Sequence, residues 1–228
     1  MKKRIISCMA AMLLCASASF AQDTFTKDGT TYGQEVADAE RTEDIQTRHN
    51  AIGRGDMQSS APFGISLFTP VQFPPESWDV EGIRLNILWG RHYSTTVADI
   101  GLIANLNDGN MTGIQLAGLA NYVVCHLQGF QLAALLNKCD GDLEGMQIGC
   151  FNVNSHEGFA YVVQTGLFNI SGETSGIQLG VFNKTKTMDG LQVGLLNFSG
   201  SLNGLQIGLC NIIEDSVCPV MIGINVGM

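Results

Sequence analysis

Basic residues are scarce in this chain. Twelve Lys and Arg stand against 21 Asp and Glu, for a formal charge of −9, which excludes the clustered cations of a nucleic-acid surface and disfavours docking on anionic headgroups. Cys-x-x-Cys pairs are missing, as are His-x-x-x-His and His-Cys clusters, so no zinc spacing is present. A nucleophile elbow, a phosphate loop and a dinucleotide fingerprint are also lacking. His49, His92, His126 and His156 are scattered and read as ordinary surface or turn residues. These absences remove most cofactor and metal chemistry, and no metal or cofactor is expected. What remains is an ordered pattern of Gly, Gln, Asn and aliphatic residues.

The first 21 residues have the layout of a secretory signal peptide. Lys2, Lys3 and Arg4 form a basic start, Ile5 to Cys15 is apolar, and Ser19 and Ala21 suit a peptidase cleaving before Gln22. The apolar run is too short to span a membrane as a helix. Cys15 follows Leu14, which is wrong for lipidation. Removing three cations takes the formal charge from −9 to −12. Residues 22–60 are polar, with a weak helical stretch from Gln34 to His49, and read as a flexible leader. Arg54-Gly-Asp56 matches an adhesion tripeptide that recurs by chance. Residues 61–81 form a transition. The strand-like Phe63-Gly-Ile-Ser-Leu-Phe68 is broken by Pro70, Pro74 and Pro75, and Phe73 and Trp78 are placed to cover the end of an array.

From residue 82 to residue 228 one phrase recurs: Gly-apolar-Gln-apolar-Gly-apolar-x-Asn. Its clearest copies are Gly145–Asn152, Gly176–Asn183, Gly190–Asn197 and Gly204–Asn211. The Gln position returns at Gln115, Gln131, Gln147, Gln164, Gln178, Gln192 and Gln206, spaced 16, 16, 17, 14, 14 and 14. Arg84 and Asp99 hold that position in two degenerate earlier copies, which predicts that they pair across neighbouring units. A short fixed period marks a repeat architecture. Gln115 to Asn121 is one residue longer than Gln206 to Asn211, which suggests a bulge.

Within a copy the residues alternate, so each is a strand rather than a helix. Leu205, Ile207 and Leu209 share one face with Asn211, and Gly204, Gln206 and Gly208 share the other. From Gly113 onward no Gly-to-Asn segment carries a charge; Lys138, Asp140, Asp142, Glu144 and their like fall between segments. Two all-β architectures fit. One is a β-solenoid of about ten short coils, with Leu and Ile columns in the core and Asn stacked at a corner. The other is an up-and-down transmembrane β-barrel of about ten strands, its Gly and Gln face lining the lumen. Identical turns after every copy favour the solenoid, because alternate barrel strands would meet different environments.

The phrase Gly-Leu-Gln-Ile-Gly-Leu-x-Asn, the lead-in Val80-Glu-Gly-Ile-Arg-Leu-Asn86 and the closing Pro219-Val-Met-Ile-Gly-Ile-Asn225 resemble bacterial surface-repeat proteins of spirochaete and Bacteroidetes-type envelopes. The resemblance spans about residues 61 to 228. It implies an exported envelope protein without established catalytic residues. The terminal Met228 departs from the aromatic ending usual in that family.

The functional expectation is a non-enzymatic scaffold at the cell surface, outer membrane or periplasm, offering a β surface to an envelope polymer or protein. A small outer-membrane β-barrel, acting as a pore or a structural unit, is the second expectation, and a carbohydrate-active solenoid enzyme the third; the last needs paired carboxylates that the strands do not offer. On the solenoid reading, Gln147, Gln164, Gln178, Gln192 and Gln206 form either a flat uncharged face open to a ligand or a stabilising ladder beside glycines that tolerate a tight twist. Asn121, Asn137, Asn152, Asn169, Asn183, Asn197 and Asn211 form a structural column bonded to backbone. Asn107-Asp-Gly-Asn110 and Asp140-Gly-Asp-Leu-Glu144 gather oxygens as calcium would require, although turn chemistry alone accounts for them. The five cysteines of the processed chain read as buried small residues, with one bridge, Cys125 to Cys139, as the alternative.

Overall fold

The computed structural model describes residues 59–155, 159–216 and 219–227. The signal peptide, the helical stretch, the Arg-Gly-Asp tripeptide, His49 and His156 lie outside them.

The described residues form an all-β solenoid of about nine turns. Its first sheet stacks β1 (Ser60–Phe68), β3 (Asp79–Asn86), β5 (Thr95–Gly101), β7 (Met111–Ala117), β9 (Leu127–Ala133), β11 (Leu143–Ile148) and β13 (Phe159–Thr165). The second stacks β4 (Trp89–His92), β6 (Ala104–Asn107), β8 (Ala120–Val123), β10 (Leu136–Cys139) and β12 (Phe151–Asn154). The long strands β14 (Phe168–Leu179), β15 (Phe182–Val193) and β16 (Leu196–Ile213) pass through both. All these neighbours pair in parallel. An up-and-down barrel needs antiparallel neighbours, so that alternative is excluded. Antiparallel pairing occurs at the two ends, where β2 (Val71–Phe73) lies on β1 and β17 (Val220–Gly227) on β16. The transition segment therefore supplies the first rung. Phe73 is 58% exposed and covers no core.

Register follows the phrase. Arg84, Asp99 and the seven glutamines stack directly on one another, and Asn105 begins the Asn stack that runs to Asn197. The extra residue of the longer copies makes no bulge between strands. Ala117 and Ala133 extend β7 and β9 by one residue and pair with each other in continuous register.

The Gln and aliphatic faces are the reverse of those expected, while the Asn column is buried. Gln115 to Gln206 and Asn105 to Asn211 are both buried columns, while Ile114, Leu132, Leu179 and Ile207 are exposed. Gln and Asn can both point inward because alternation does not carry across the two-residue corner between them, such as Gly180-Val181. The coil admits only four inward side chains: one two residues before the Gly, the Gln, the Asn, and one two residues after it. Leu143, Gln147, Asn152 and Asn154 are one such set, all buried. A tube this narrow has no room for a conventional aliphatic core. Amides stacked at the inter-strand spacing of about 4.8 Å fill it and bond to one another.

The first Gly of the phrase adopts positive φ in copy after copy, for example +145° at Gly129 and +138° at Gly145. A Cβ on Gly145 would stand 1.8 Å from the carbonyl oxygen of Gly129. Val97 occupies this register and carries a φ of +93°, which is strained for a β-branched residue.

Candidate functional site

Two features could carry function: the amide interior with the ion pair at its start, and the apolar exterior.

The Gln column is a one-way hydrogen-bonded ladder. Each Nε2 donates to the Oε1 of the preceding Gln: Gln131 to Gln115 at 2.7 Å, Gln147 to Gln131 at 2.7 Å, and onward to Gln206 to Gln192 at 2.8 Å. Its direction is set by Asp99. A carboxylate only accepts, so Gln115 must turn its NH₂ toward Asp99 Oδ2, at 3.1 Å, and every later amide follows. Gln147, Gln164, Gln178, Gln192 and Gln206 are thus 0% exposed. The flat outer Gln face foreseen from alternation does not exist, because these side chains stitch the coils together from within.

The Asn ladder runs the other way. Asn121 Nδ2 donates forward to Asn137 Oδ1 at 3.0 Å, and Asn197 donates to Asn211 at 2.7 Å. The second N–H of each amide reaches a backbone carbonyl of the next coil, as Asn121 does to Leu132 O at 2.9 Å and Asn183 to Val193 O at 3.0 Å. Asn137, Asn152 and Asn169 repeat the pattern. At the end, Asn211 donates to Gly223 O of β17 at 3.0 Å. At the start, Gly90 leaves the column without an Asn, and Asn86 fills the gap by donating to Asn105 Oδ1 at 2.6 Å.

Arg84 and Asp99 are paired and fully buried. Arg84 Nε donates to Asp99 Oδ1 at 2.7 Å, and a second, very close contact joins the other guanidinium nitrogen to Oδ2. Asp99 also accepts from Asn86 at 2.8 Å and Asn107 at 3.2 Å. Arg84 reaches His92 Nδ1 at 2.9 Å, and His92 Nε2 lies 3.0 Å from Pro74 O. That carbonyl can only accept, so Nε2 carries the proton and Nδ1 receives the Arg84 hydrogen. His92 is 0% exposed, contrary to the surface placement expected. Burial, reinforced by the Arg84 charge, lowers its pKa to about 4, so it is neutral at pH 7. Arg84, Asp99 and His92 are buried and bonded to one another and to neighbouring groups, so the cluster acts as structure.

Among the described residues no cluster of His, Cys, Asp and Glu could hold a metal ion. In the two acidic turns Asp108 binds Arg91 at 2.8 Å, Asp140 binds Lys138 at 3.0 Å, and Asp142 lies 3.2 Å from His126. Cys125, Cys139, Cys150 and Cys210 are free thiols, so the Cys125–Cys139 bridge is not formed. Burial pushes the Cys139 thiol up to about 12.

The exterior is divided. At the corner after the Gln, six of the seven coils project an aliphatic residue outward, Leu119, Leu135, Leu167, Val181, Leu195 and Leu209, between 41% and 66% exposed, and the coil of Gln147 has the half-buried Cys150 there. Apolar residues flank this ridge on both sheets, with Leu132 and Leu179 on one side and a ring stack on the other, Phe151 on Phe168 at 4.8 Å. Charges such as Asp142, Glu144 and Glu173 fall between the Gly-to-Asn segments, away from the ridge. The solenoid therefore has an apolar edge and a charged one. Sequence reasoning missed the ridge because it assigned these aliphatics to the core; the signal was the apolar residue after the second Gly of every phrase. No family model, curated protein or solved structure matches this chain.

Proposed function

We propose that this chain is an exported, non-enzymatic envelope protein whose solenoid seats its apolar edge in the hydrocarbon layer of a membrane surface and keeps its charged edge in water. The observation that carries this is the ridge from Leu119 to Leu209 with its apolar flanks. An uncharged strip repeated over the coils greatly exceeds the scattered apolar exposure normal for a soluble surface. The division resembles that of interfacial amphipathic helices, transposed to a β prism. An acidic chain favours neutral over anionic lipid. The signal-like first 21 residues support export, and the resemblance to surface-repeat proteins supports an envelope location.

Flotation with neutral phosphatidylcholine vesicles tests this. The protein should float with the vesicles and leave them in Leu167→Lys/Leu195→Lys, whose positions are each 49% exposed, so that an ammonium placed there reaches water. A folded protein that stays in the buffer fraction would refute membrane seating and favour docking of the edge on an envelope protein.

A further inference from the structure

The two ends of the solenoid are finished differently. At the first end β2 folds back on β1 between Pro70 and Pro74, and Gln72 covers the exposed backbone of β4. Its Nε2 donates to Arg91 O at 2.6 Å, and its Oε1 receives Arg91 N at 3.4 Å. A side chain thus imitates the missing strand. At the other end β17 is paired only to β16 among the described residues. It has no charge, and Ile222 is 83% exposed. The amide column stops there unsatisfied: Gln206 Oε1 and Asn225 Nδ2 are buried without partners. Edge strands normally carry charge, proline or cover that prevents pairing with another chain; β17 has none of these within Val220–Gly227.

Its sequence is also a palindrome of outward residues. Val220-Met-Ile-Gly-Ile-Asn-Val226 reads Val, Ile, Gly, Ile, Val from either direction around Gly223. An antiparallel pair of two such strands centred on Gly223 sets Ile222 against Ile224, Val220 against Val226, and Gly223 against itself. Gly223 suits that centre, because nothing lies within 4 Å of where its Cβ would be. With no charge on either strand, two acidic chains meet without like-charge opposition at the joint.

We propose that β17 is a homodimerisation edge at which a second copy of this chain adds its own β17 antiparallel, joining two solenoids end to end about a two-fold axis. Such isologous pairing closes on itself and does not propagate into a fibre. The exposed area of Val220, Met221, Ile222, Ile224 and Val226 is on the order of 1,000 Å² for two copies, at the lower bound for a specific interface, and main-chain hydrogen bonds of the new ladder add to it. In the same register Met221 lies opposite Asn225, and the outer apolar columns continue from one copy into the next.

Light scattering on the purified full chain tests the proposal. Twice the chain mass is expected, falling to one chain in Ile222→Lys with an unchanged circular dichroism spectrum. Ile222→Cys/Ile224→Cys should cross-link under mild oxidation into a covalent dimer. A wild-type monomer at high micromolar concentration, or a dimer indifferent to Ile222→Lys, would overturn it. Leu167→Lys/Leu195→Lys should remain dimeric while losing vesicle binding, so the edge and the membrane reading fail separately.

Discussion

The coils from Gln115 to Gln147 close in 16 residues, whereas those from Gln164 to Gln206 close in 14. The difference falls at the corners, and it changes what fills the tube. In the wider coils the position two after Asn holds Val123 or Cys139, packed with Met111, Leu127 and Leu143 in an apolar cluster. In the narrower coils the same position holds Ser171, Thr185 or Ser199, all buried. Ser171 Oγ donates to Gln164 Oε1 at 2.9 Å, and Gln192 Nε2 donates to Thr185 Oγ1 at 3.1 Å. The narrower coils also keep unbroken strands around the far corner, with β14 and β15 in register from Phe168↔Phe182 to Leu179↔Val193. Two residues shorter, the narrower coil carries at that position a hydroxyl that bonds to the Gln ladder where the wider coil carries Val or Cys. At this position the two halves solve one packing problem differently, the first by apolar burial and the second by hydrogen bonding, while Met188, Leu202 and Ile213 keep a smaller apolar cluster in the narrower half.

The sharpest way to break the wide half is at its polar start. Asp99→Ala leaves a buried Arg84 without its partner and removes the acceptor that orients the ladder, so urea unfolding should show a loss of about 3–5 kcal/mol. Arg84→Gln/Asp99→Gln, which extends the ladder with the residue used elsewhere, should recover most of that. An equally damaged double variant would show that the ion pair does more than occupy the column.

Next in size is acid sensitivity, which belongs to the wide half alone. His92 has a folded pKa near 4 and an ordinary value of 6.5. Between these the unfolded chain binds the proton and the folded chain does not. The contribution is therefore complete above pH 6.5 and falls as pH drops toward 4, by about 3 kcal/mol in total. Melting temperature against pH should show this slope in the wild type and lose it in His92→Gln.

Exchanging the two interior solutions sharpens the contrast further. Val123→Thr places a hydroxyl in the apolar cluster and should cost about 1–3 kcal/mol. Thr185→Val removes the second partner of Gln192 and a long contact to Ser199, and should cost about 1 kcal/mol. Equal effects in thermal unfolding would mean that the halves do not differ as described. Asn197→Leu, which strands the Ile207 carbonyl, belongs in the range of about 1–3 kcal/mol. The smallest effect is a gain. Val97→Gly relieves the positive φ of a β-branched residue in the glycine column and should raise stability by about 1 kcal/mol.

The phrase made the parallel stack, the registers of Gln and Asn and the pairing of Arg84 with Asp99 legible, because each depends only on spacing. Which face turns inward was not legible. Alternation is symmetric about the sheet, and the usual preference for burying Leu and Ile fails where four side chains fill the interior. Reading Leu205 and Asn211 on one face carried strand parity across a corner that resets it. His92 was missed because its column reads His92, Asn107, Val123, Cys139 down the first coils, with no shared residue type to reveal it.

The opposed directions of the two amide ladders have an electrostatic consequence. A helix accumulates aligned peptide dipoles into charge at its ends. Here the carboxamide dipoles of the Gln column point along the solenoid axis one way and those of the Asn column the other, so each added coil contributes two vectors that largely cancel. Coil number can then grow or shrink without raising a field at the termini. Excising one 14-residue unit, residues 176–189, should shorten the protein while leaving both columns matched and the remainder folded.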